Sequence, residues 1–502
     1  MTVTESAPGG HASANEYALH EGILRRQSAR ESAARTYART LPIVPVRARG
    51  LTIEGADGRR YLDCLSGAGT LALGHNHPVV LAAVRRVLES GAPLHALDLA
   101  TPVKDAFVTE LFATLPPGLA ARARVQFCGP AGTDAVEAAL KLVRAATGRS
   151  TVMAFTGAYH GMTAGASAAS GHAEDVRVAR LPYPQEYRCP FGVGGARGAE
   201  LAARWTESVL DDPKSGVPEP AGMILEPVQG EGGVHPAPDA WLRRMRRITA
   251  ERSIPLIADE IQTGVGRTGA FWAVDHSGVT PDVMVLSKAI GGSLPLAVVV
   301  YRDDLDVWEP GAHAGTFRGN QLAMAAGTAT LAHVREHRLA ERAATLGARM
   351  LAQLGRLAEE HACVGEVRGR GLMLGVELVD PETEPGHDDS GTAADGPGIA
   401  AEDQGAVAED QGVTLMWGNS PKPRPAAPAL AAAVQRECLR RGLIVELGGR
   451  HASVVRLLPP LTITDEQAAA VLDRLADAVD AVARDHASGA VARDHAGGIA
   501  RP

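Results

Sequence analysis

The stretch Asp282-Val-Met-Val-Leu-Ser-Lys288-Ala-Ile-Gly-Gly292 runs from four apolar residues into a lysine and a glycine pair. Four apolar residues in a row, bounded by polar residues and glycine, read as a strand buried on both faces. The lysine at its end has two readings. It points into water, since strand ends usually reach the surface. Alternatively it stays inside as an active-site amine. A buried lysine is costly while charged, and an amine that forms an imine with an aldehyde cofactor loses that charge.

Outward from Lys288 the pattern repeats. Between about Pro102 and Pro310 lie Val125-Gln-Phe-Cys128, Thr151-Val-Met-Ala-Phe155, Met223-Ile-Leu-Glu226, Pro255-Leu-Ile-Ala-Asp259 and Leu296-Ala-Val-Val-Val300. Helical stretches separate several of them, as at Asp134–Thr147 and Ala240–Glu251. Buried strands alternating with helices predict an α/β domain with a mainly parallel sheet. Upstream, Asp57-Gly58 between two apolar runs is a hairpin signal. Downstream, helices over Gln321–His361 lead to Glu366–Glu377, which reads as a strand, a Gly turn and a strand. A last helix spans about Thr464–Arg484, completing a small α+β domain built from both terminal segments.

The expected division is a flexible tail at 1–20, an N-terminal small-domain segment at 21–101, a large domain at 102–330 and a C-terminal small-domain segment at 331–480. Residues 381–426, rich in Asp, Glu, Gly and Pro, read as a solvated, disordered insert that repeats Ala-Glu-Asp-Gln-Gly at 401–405 and 408–412. Residues 481–502 read as a tail with near-copies at 481–489 and 490–498. Two copies do not make a solenoid.

The chain has 502 residues, of which 45% are hydrophobic and 22% charged, with net charge -8. No basic stripe appears, which disfavours a nucleic-acid partner. No apolar run approaches the ~18 residues of a membrane span, and the Gly-, Ala- and Ser-rich start is unlike a signal peptide. Cys64, Cys128, Cys189, Cys363 and Cys438 show no CxxC spacing, and no His/Cys cluster has metal-ligand spacing. They read as reduced thiols, placing the protein in the cytoplasm without a metal.

Other residues share the setting of Lys288. Asp259 ends a buried strand in Ile257-Ala-Asp-Glu-Ile-Gln262. Such a carboxylate suits the nitrogen of a pyridine electron sink, or simply caps a following helix. In Phe127-Cys-Gly-Pro-Ala-Gly132-Thr133-Asp134 a strand meets a Gly-rich turn and a helix. That is a phosphate cradle or an ordinary helix start, and it matches neither the dinucleotide nor the P-loop pattern. Tyr159 and His160, in Gly157-Ala-Tyr-His-Gly161, offer a ring to stack on a flat cofactor. Glu226 and Glu231 lie in a Gly-rich loop where acids can manage substrate charge. Thr316 lies in a small-residue loop, His313–Asn320. Arg456, inside an apolar run, needs a partner: a substrate carboxylate held bidentately, or a structural acid.

Taken together, Glu226-Pro-Val-Gln-Gly-Glu231, Ala258-Asp-Glu-Ile-Gln-Thr-Gly-Val-Gly-Arg-Thr-Gly269 and Leu286-Ser-Lys-Ala-Ile-Gly-Gly292 resemble the class III (ω-amino acid) aminotransferases of pyridoxal-phosphate (PLP) fold type I. The resemblance covers about residues 40–480 outside the insert. It implies that Lys288 carries PLP, Asp259 meets the pyridine nitrogen, Gln262 the ring hydroxyl and Tyr159 the ring face. It implies that Gly132 and Thr133 bind the phosphate, with Thr316 reaching over from a second subunit of a homodimer. It implies that Arg456 binds the carboxylate of 2-oxoglutarate and that Glu231 holds Arg456 otherwise. Leu62–Pro78, Phe127-Cys-Gly-Pro130, Arg188-Cys-Pro-Phe-Gly-Val-Gly-Gly195 and Gly315-Thr-Phe-Arg-Gly-Asn-Gln321 resemble the branch that pairs diaminobutyrate with 2-oxoglutarate. Ornithine enzymes place a tyrosine about where Ala68 stands. The rivals are another amino donor, such as 4-aminobutyrate, ornithine or lysine, and an aminomutase of the glutamate-1-semialdehyde type. A nicotinamide dehydrogenase lacks its glycine fingerprint here.

Overall fold

Each apolar run named above for the large domain becomes a strand of one seven-stranded sheet in the computed structural model, which describes residues 14–172, 177–383 and 423–488. The strands are β1 (Ala123–Phe127), β2 (Val152–Phe155), β3 (Val178–Leu181), β4 (Gly222–Leu225), β5 (Leu256–Asp259), β6 (Val283–Leu286) and β7 (Val298–Arg302). Their order across the sheet is β1-β7-β6-β5-β4-β2-β3. β7 runs antiparallel to both neighbours, and the pairs from β6 to β3 are parallel. β3 is the strand with no apolar run to announce it. At the sheet's edge its two end residues, Val178 and Leu181, are buried, Ala179 is partly exposed and Arg180 is exposed.

The continuous apolar runs have a simple cause. Val283 and Val285 pack with Ala135, Val136 and Leu140 of the Gly132–Thr147 helix on one face. Met284 and Leu286 pack with Ala323 and Met324 of the Gln321–Glu336 helix on the other. Both faces are covered, so every residue of the strand is buried. Each such side chain contributes roughly 1.5–3 kcal/mol by leaving water. A charged residue at Met284 would break this packing.

A two-stranded ribbon, Val228–Gln229 with His235–Pro236, and two four-stranded sheets accompany the seven-stranded sheet among the described residues. One joins Pro45–Arg49, Thr52–Gly55 and Arg60–Asp63 to Leu443–Ile444, which lies parallel to the third of these. Distant parts of the chain thus share a sheet. The other contains β8 (Val364–Arg370), β9 (Met373–Leu378), β10 (Glu446–Gly448) and β11 (Val454–Leu457), in the order β8-β9-β11-β10. Gly371, at φ +59°, makes the tight β8–β9 turn.

Several expected boundaries need correction. A helix covers Ala14–Arg30, so the flexible tail does not extend to residue 20. Neither Gly nor Pro interrupts Ala14–Glu21, and His20 is buried. Residues 1–13 lie outside the described residues. The last helix spans Asp465–Ala487 and continues into the first repeat copy. Val482 falls on the same face as Val471, Leu475 and Val479, all buried, which extends the helical period. The tail from 489 lies outside the described residues, as do 384–422 of the insert. The insert's ends are fastened: Asp380 N donates to Pro425 O at 3.0 Å, and Arg188 Nη2 donates to Arg424 O at 2.9 Å.

Candidate active site

Where β1, β2, β4, β5 and β6 end, their following residues surround a cavity of about 270 Å³. Ligands of open α/β sheets bind beyond the carboxyl ends of the strands, and this cavity obeys that rule. Gly132, Thr133, Tyr159, His160, Glu226, Glu231, Asp259, Gln262 and Lys288 all line it.

Lys288 follows β6 with φ +50°, a left-handed conformation that costs a non-glycine residue about 1 kcal/mol or more. The turn aims its Nζ at Ala68 O, 2.9 Å away. Burial pushes its ammonium down from the usual lysine range, with Arg456 adding to the effect and Glu231, Glu446 and Asp259 opposing it.

Asp259 ends β5 and caps no helix. Its Oδ1 accepts from Ile261 N at 3.1 Å within a turn, and its Oδ2 lies 2.7 Å from His160 Nδ1. Burial alone would lower the His160 pKa; the Asp259 hydrogen bond and charge outweigh it and raise the value. His160 Nε2 is buried and makes no hydrogen bond.

The Gly132–Thr147 helix opens onto the cavity with no cap from the Ala131 side chain at its start, while Asp134 Oδ2 accepts from Ala131 N at 3.2 Å. The helix's first backbone N–H groups and positive dipole end are available to an anion. A Cβ at Gly132 would come within 3.0 Å of Ile261. At Gly161, φ +123°, one would come within 2.5 Å of the Thr133 hydroxyl. Thr133 Oγ1 lies 2.7 Å from Thr163 Oγ1.

Glu226 accepts from Tyr159 N at 2.9 Å and from Gly230 N at 3.0 Å. It ties the tyrosine loop to the Glu231 loop, and burial pushes its carboxyl up to about 7. Arg456, on β11, is fully buried. Its Nη1 lies 2.5 Å from Glu231 Oε2, and its Nη2 donates to Gln262 Oε1 at 3.2 Å. Burial works against its charge, while Glu231 and Glu446 more than restore it.

A class III aminotransferase family model matches residues 32–479. The chain belongs to the class III aminotransferases. Among relatives of this aminotransferase, it is 52% identical to the diaminobutyrate–2-oxoglutarate aminotransferase of Rhizobium meliloti, covering 92% of this chain and 93% of that one. It is 42% identical to the protein of that name from Haemophilus influenzae, covering 92% and 96%. Among solved structures, an (S)-enantioselective omega-transaminase from Thermomicrobium roseum matches with TM-score 0.75 and 26% identity, covering 92% of this chain and 98% of that one. A PLP-bound amine transaminase from an uncultivated Pseudomonas species matches with TM-score 0.72 and 28% identity, covering 91% and 97%. The fold is PLP fold type I, with a large mainly parallel sheet.

The aminotransferase's cavity gathers all but two of the site residues named from sequence. Arg456 is reached through Glu231. Thr316 is exposed and does not line the cavity. Three groups are additions. Ala68 O accepts from both Lys288 Nζ and Gln262 Nε2, at 2.9 and 3.1 Å. Glu446 Oε2 lies 3.3 Å from Arg456 Nη2. Tyr37 Oη donates to Glu446 Oε1 at 2.5 Å. Burial, then the Glu446 charge, pushes the Tyr37 hydroxyl up, so it stays a donor. Glu446 carried the same signal as Arg456, a lone charge in an apolar run, Leu443-Ile-Val-Glu-Leu447. Among the described residues no group of His, Cys, Asp and Glu is placed to hold a metal, and no helix is long and apolar enough to cross a membrane.

Proposed function

We propose that this aminotransferase moves the 4-amino group between L-2,4-diaminobutyrate and 2-oxoglutarate, reversibly, giving L-aspartate 4-semialdehyde and L-glutamate. The observation that carries the reading is one cavity holding Lys288, Asp259 and the Arg456-bound Glu231, in a chain 52% identical to a protein named for that reaction.

PLP is the proposed cofactor, and the residues present fit it. A helix start with no cap from Ala131 and with glycine space suits its phosphate, a buried carboxylate its ring nitrogen, and an amine of lowered pKa its aldehyde carbon. Gly132 and Thr133 would hold the phosphate, Asp259 the nitrogen, Gln262 the ring hydroxyl, Tyr159 the ring face and Lys288 the aldehyde carbon, with His160 bracing Asp259. When bound, the cofactor supplies an aldehyde that exchanges amines and a ring that stabilises negative charge on the substrate carbon. Lys288 Nζ, neutral, takes the proton from the amine-bearing carbon of the substrate and returns a proton later. Asp259 would meet the ring nitrogen while His160 Nδ1, 2.7 Å from its Oδ2, holds it in place. Arg456 would receive the carboxylate of 2-oxoglutarate once Glu231 turns aside.

A homodimer with Thr316 completing the partner's phosphate site is part of the same proposal. Thr316 is exposed outside its own cavity, and Phe317 beside it is 64% exposed, an apolar surface for a second copy to cover. Its place is the cytoplasm, in keeping with five free cysteines.

The test is turnover of the PLP-loaded protein with L-2,4-diaminobutyrate and 2-oxoglutarate. Equal amounts of glutamate and aspartate 4-semialdehyde are expected. Turnover with 4-aminobutyrate, ornithine or lysine alone overturns the donor, and amine migration without 2-oxoglutarate overturns the transferase.

A further inference from the structure

Arg456 faces two carboxylates. Glu231 Oε2 lies 2.5 Å from Nη1, and Glu446 Oε2 lies 3.3 Å from Nη2. The other oxygen of Glu231 accepts from Gln262 Nε2 at 3.3 Å, and that of Glu446 accepts from the Tyr37 hydroxyl. Glu446 Oε2 makes no hydrogen bond, although the Glu446 side chain is only 7% exposed.

One guanidinium balances one carboxylate. A second buried carboxylate is costly until a cation meets it. Lys288 makes no direct bond to Glu446: its Nζ donates to Ala68 O at 2.9 Å. Glu446, like Arg456, does not line the cavity, and its Oε2 is left as an open buried acceptor beside the Arg456 guanidinium. Mono-amino donors have nothing to offer it, since their one amine is consumed at Lys288. A diamino acid brings a second ammonium.

We propose that Glu446, held by Tyr37, is a specificity residue that receives the α-ammonium of the donor while the donor's terminal amine meets Lys288. The inference rests on the diaminobutyrate reading of this site. 4-Aminobutyrate has the same carbon chain, carboxylate and terminal amine, and lacks only that ammonium. It brings no N–H to the open oxygen of Glu446, and a site built to pair a polar group strongly rejects the analogue lacking it.

The experiment compares kcat/KM for L-2,4-diaminobutyrate and 4-aminobutyrate, at saturating 2-oxoglutarate, in the PLP-loaded protein and in Glu446→Gln. The diaminobutyrate-to-aminobutyrate ratio is expected to fall roughly 10- to 100-fold in the variant, the loss of one charged hydrogen bond. Glu446→Asp, which keeps the charge, is expected to restore part of the ratio. A ratio unchanged in Glu446→Gln overturns the assignment. A second measurement needs no variant. Propane-1,3-diamine keeps both amines and drops the carboxylate, and it is expected to inhibit diaminobutyrate turnover at lower concentration than 4-aminobutyrate does; the reverse order overturns the assignment. Unmodified protein that turns over 4-aminobutyrate and ignores diaminobutyrate overturns the donor reading itself, before any variant is compared.

Discussion

His160 Nδ1 lies 2.7 Å from Asp259 Oδ2, and both side chains are buried. The histidine reaches back from the loop after β2 to brace the carboxylate at the end of β5. A group that orients a reacting partner typically controls 10–100-fold in affinity or rate, by analogy with outer-shell metal partners. His160→Phe is expected to lower kcat by about that factor and to release PLP during dialysis. Unchanged kcat and full cofactor retention would show that Asp259 stands without it.

Lys288→Ala is expected to remove the general base and acid, a loss of about 10²–10⁴-fold or more in turnover. Borohydride should fix PLP to the peptide containing Lys288 in the unmodified protein and to no peptide in the variant. Circular dichroism should stay the same in both. Covalent PLP on any other lysine would sink the assignment.

Glu260 accepts from Thr263 Oγ1 and Val274 N, and burial pushes its carboxyl up to about 7 from 4.5. The folded state therefore binds this proton more tightly than the unfolded one between those pH values. Stability falls as pH rises through that window, by about 3 kcal/mol from this group. Glu260→Gln lacks the titration. Thermal unfolding from pH 4.5 to 7.5 should show Tm falling more steeply for the unmodified protein; parallel curves would refute the coupling.

If Thr316 serves the partner's cavity, a Lys288→Ala subunit and a Thr316→Ala subunit complement each other. Their heterodimer has one cavity with both defects and one with neither. Co-expression is expected to recover about half the activity of a wild-type dimer per heterodimer. No recovery, or full activity of Thr316→Ala alone, would count against a shared site.

The central strands were legible because both faces of the sheet are covered, which leaves uninterrupted apolar runs such as Val283–Leu286. Lys288 and Asp259 stood out as charges at the ends of those runs. Edge strand β3 did not, since partial exposure mixes its residue types. The Tyr37–Glu446 bond joins positions 409 apart, and no local pattern announces it. The Ala68 carbonyl is a backbone group, invisible in a side-chain reading. The helical end at 481–487 was masked by its repetition, although Val482 kept the period of Val471, Leu475 and Val479.

Five of the seven strand ends of the large sheet each bring one residue to the cavity: β1 the helix start at Gly132, β2 Tyr159, β4 Glu226, β5 Asp259 and β6 Lys288. Neighbouring strands stand about 4.8 Å apart, and a slip of one residue moves a side chain about 3.3 Å and to the opposite face. The chemistry is therefore indexed in whole steps, with no intermediate settings. It can be kept or lost strand by strand and cannot drift. Arg456 and Glu446 ride on a different sheet, β10 and β11, where a substitution leaves that index untouched. If Arg456 and Glu446 help to choose the substrate as proposed, the preferred donor can change over evolutionary time while the residues at the large-sheet strand ends stay in register.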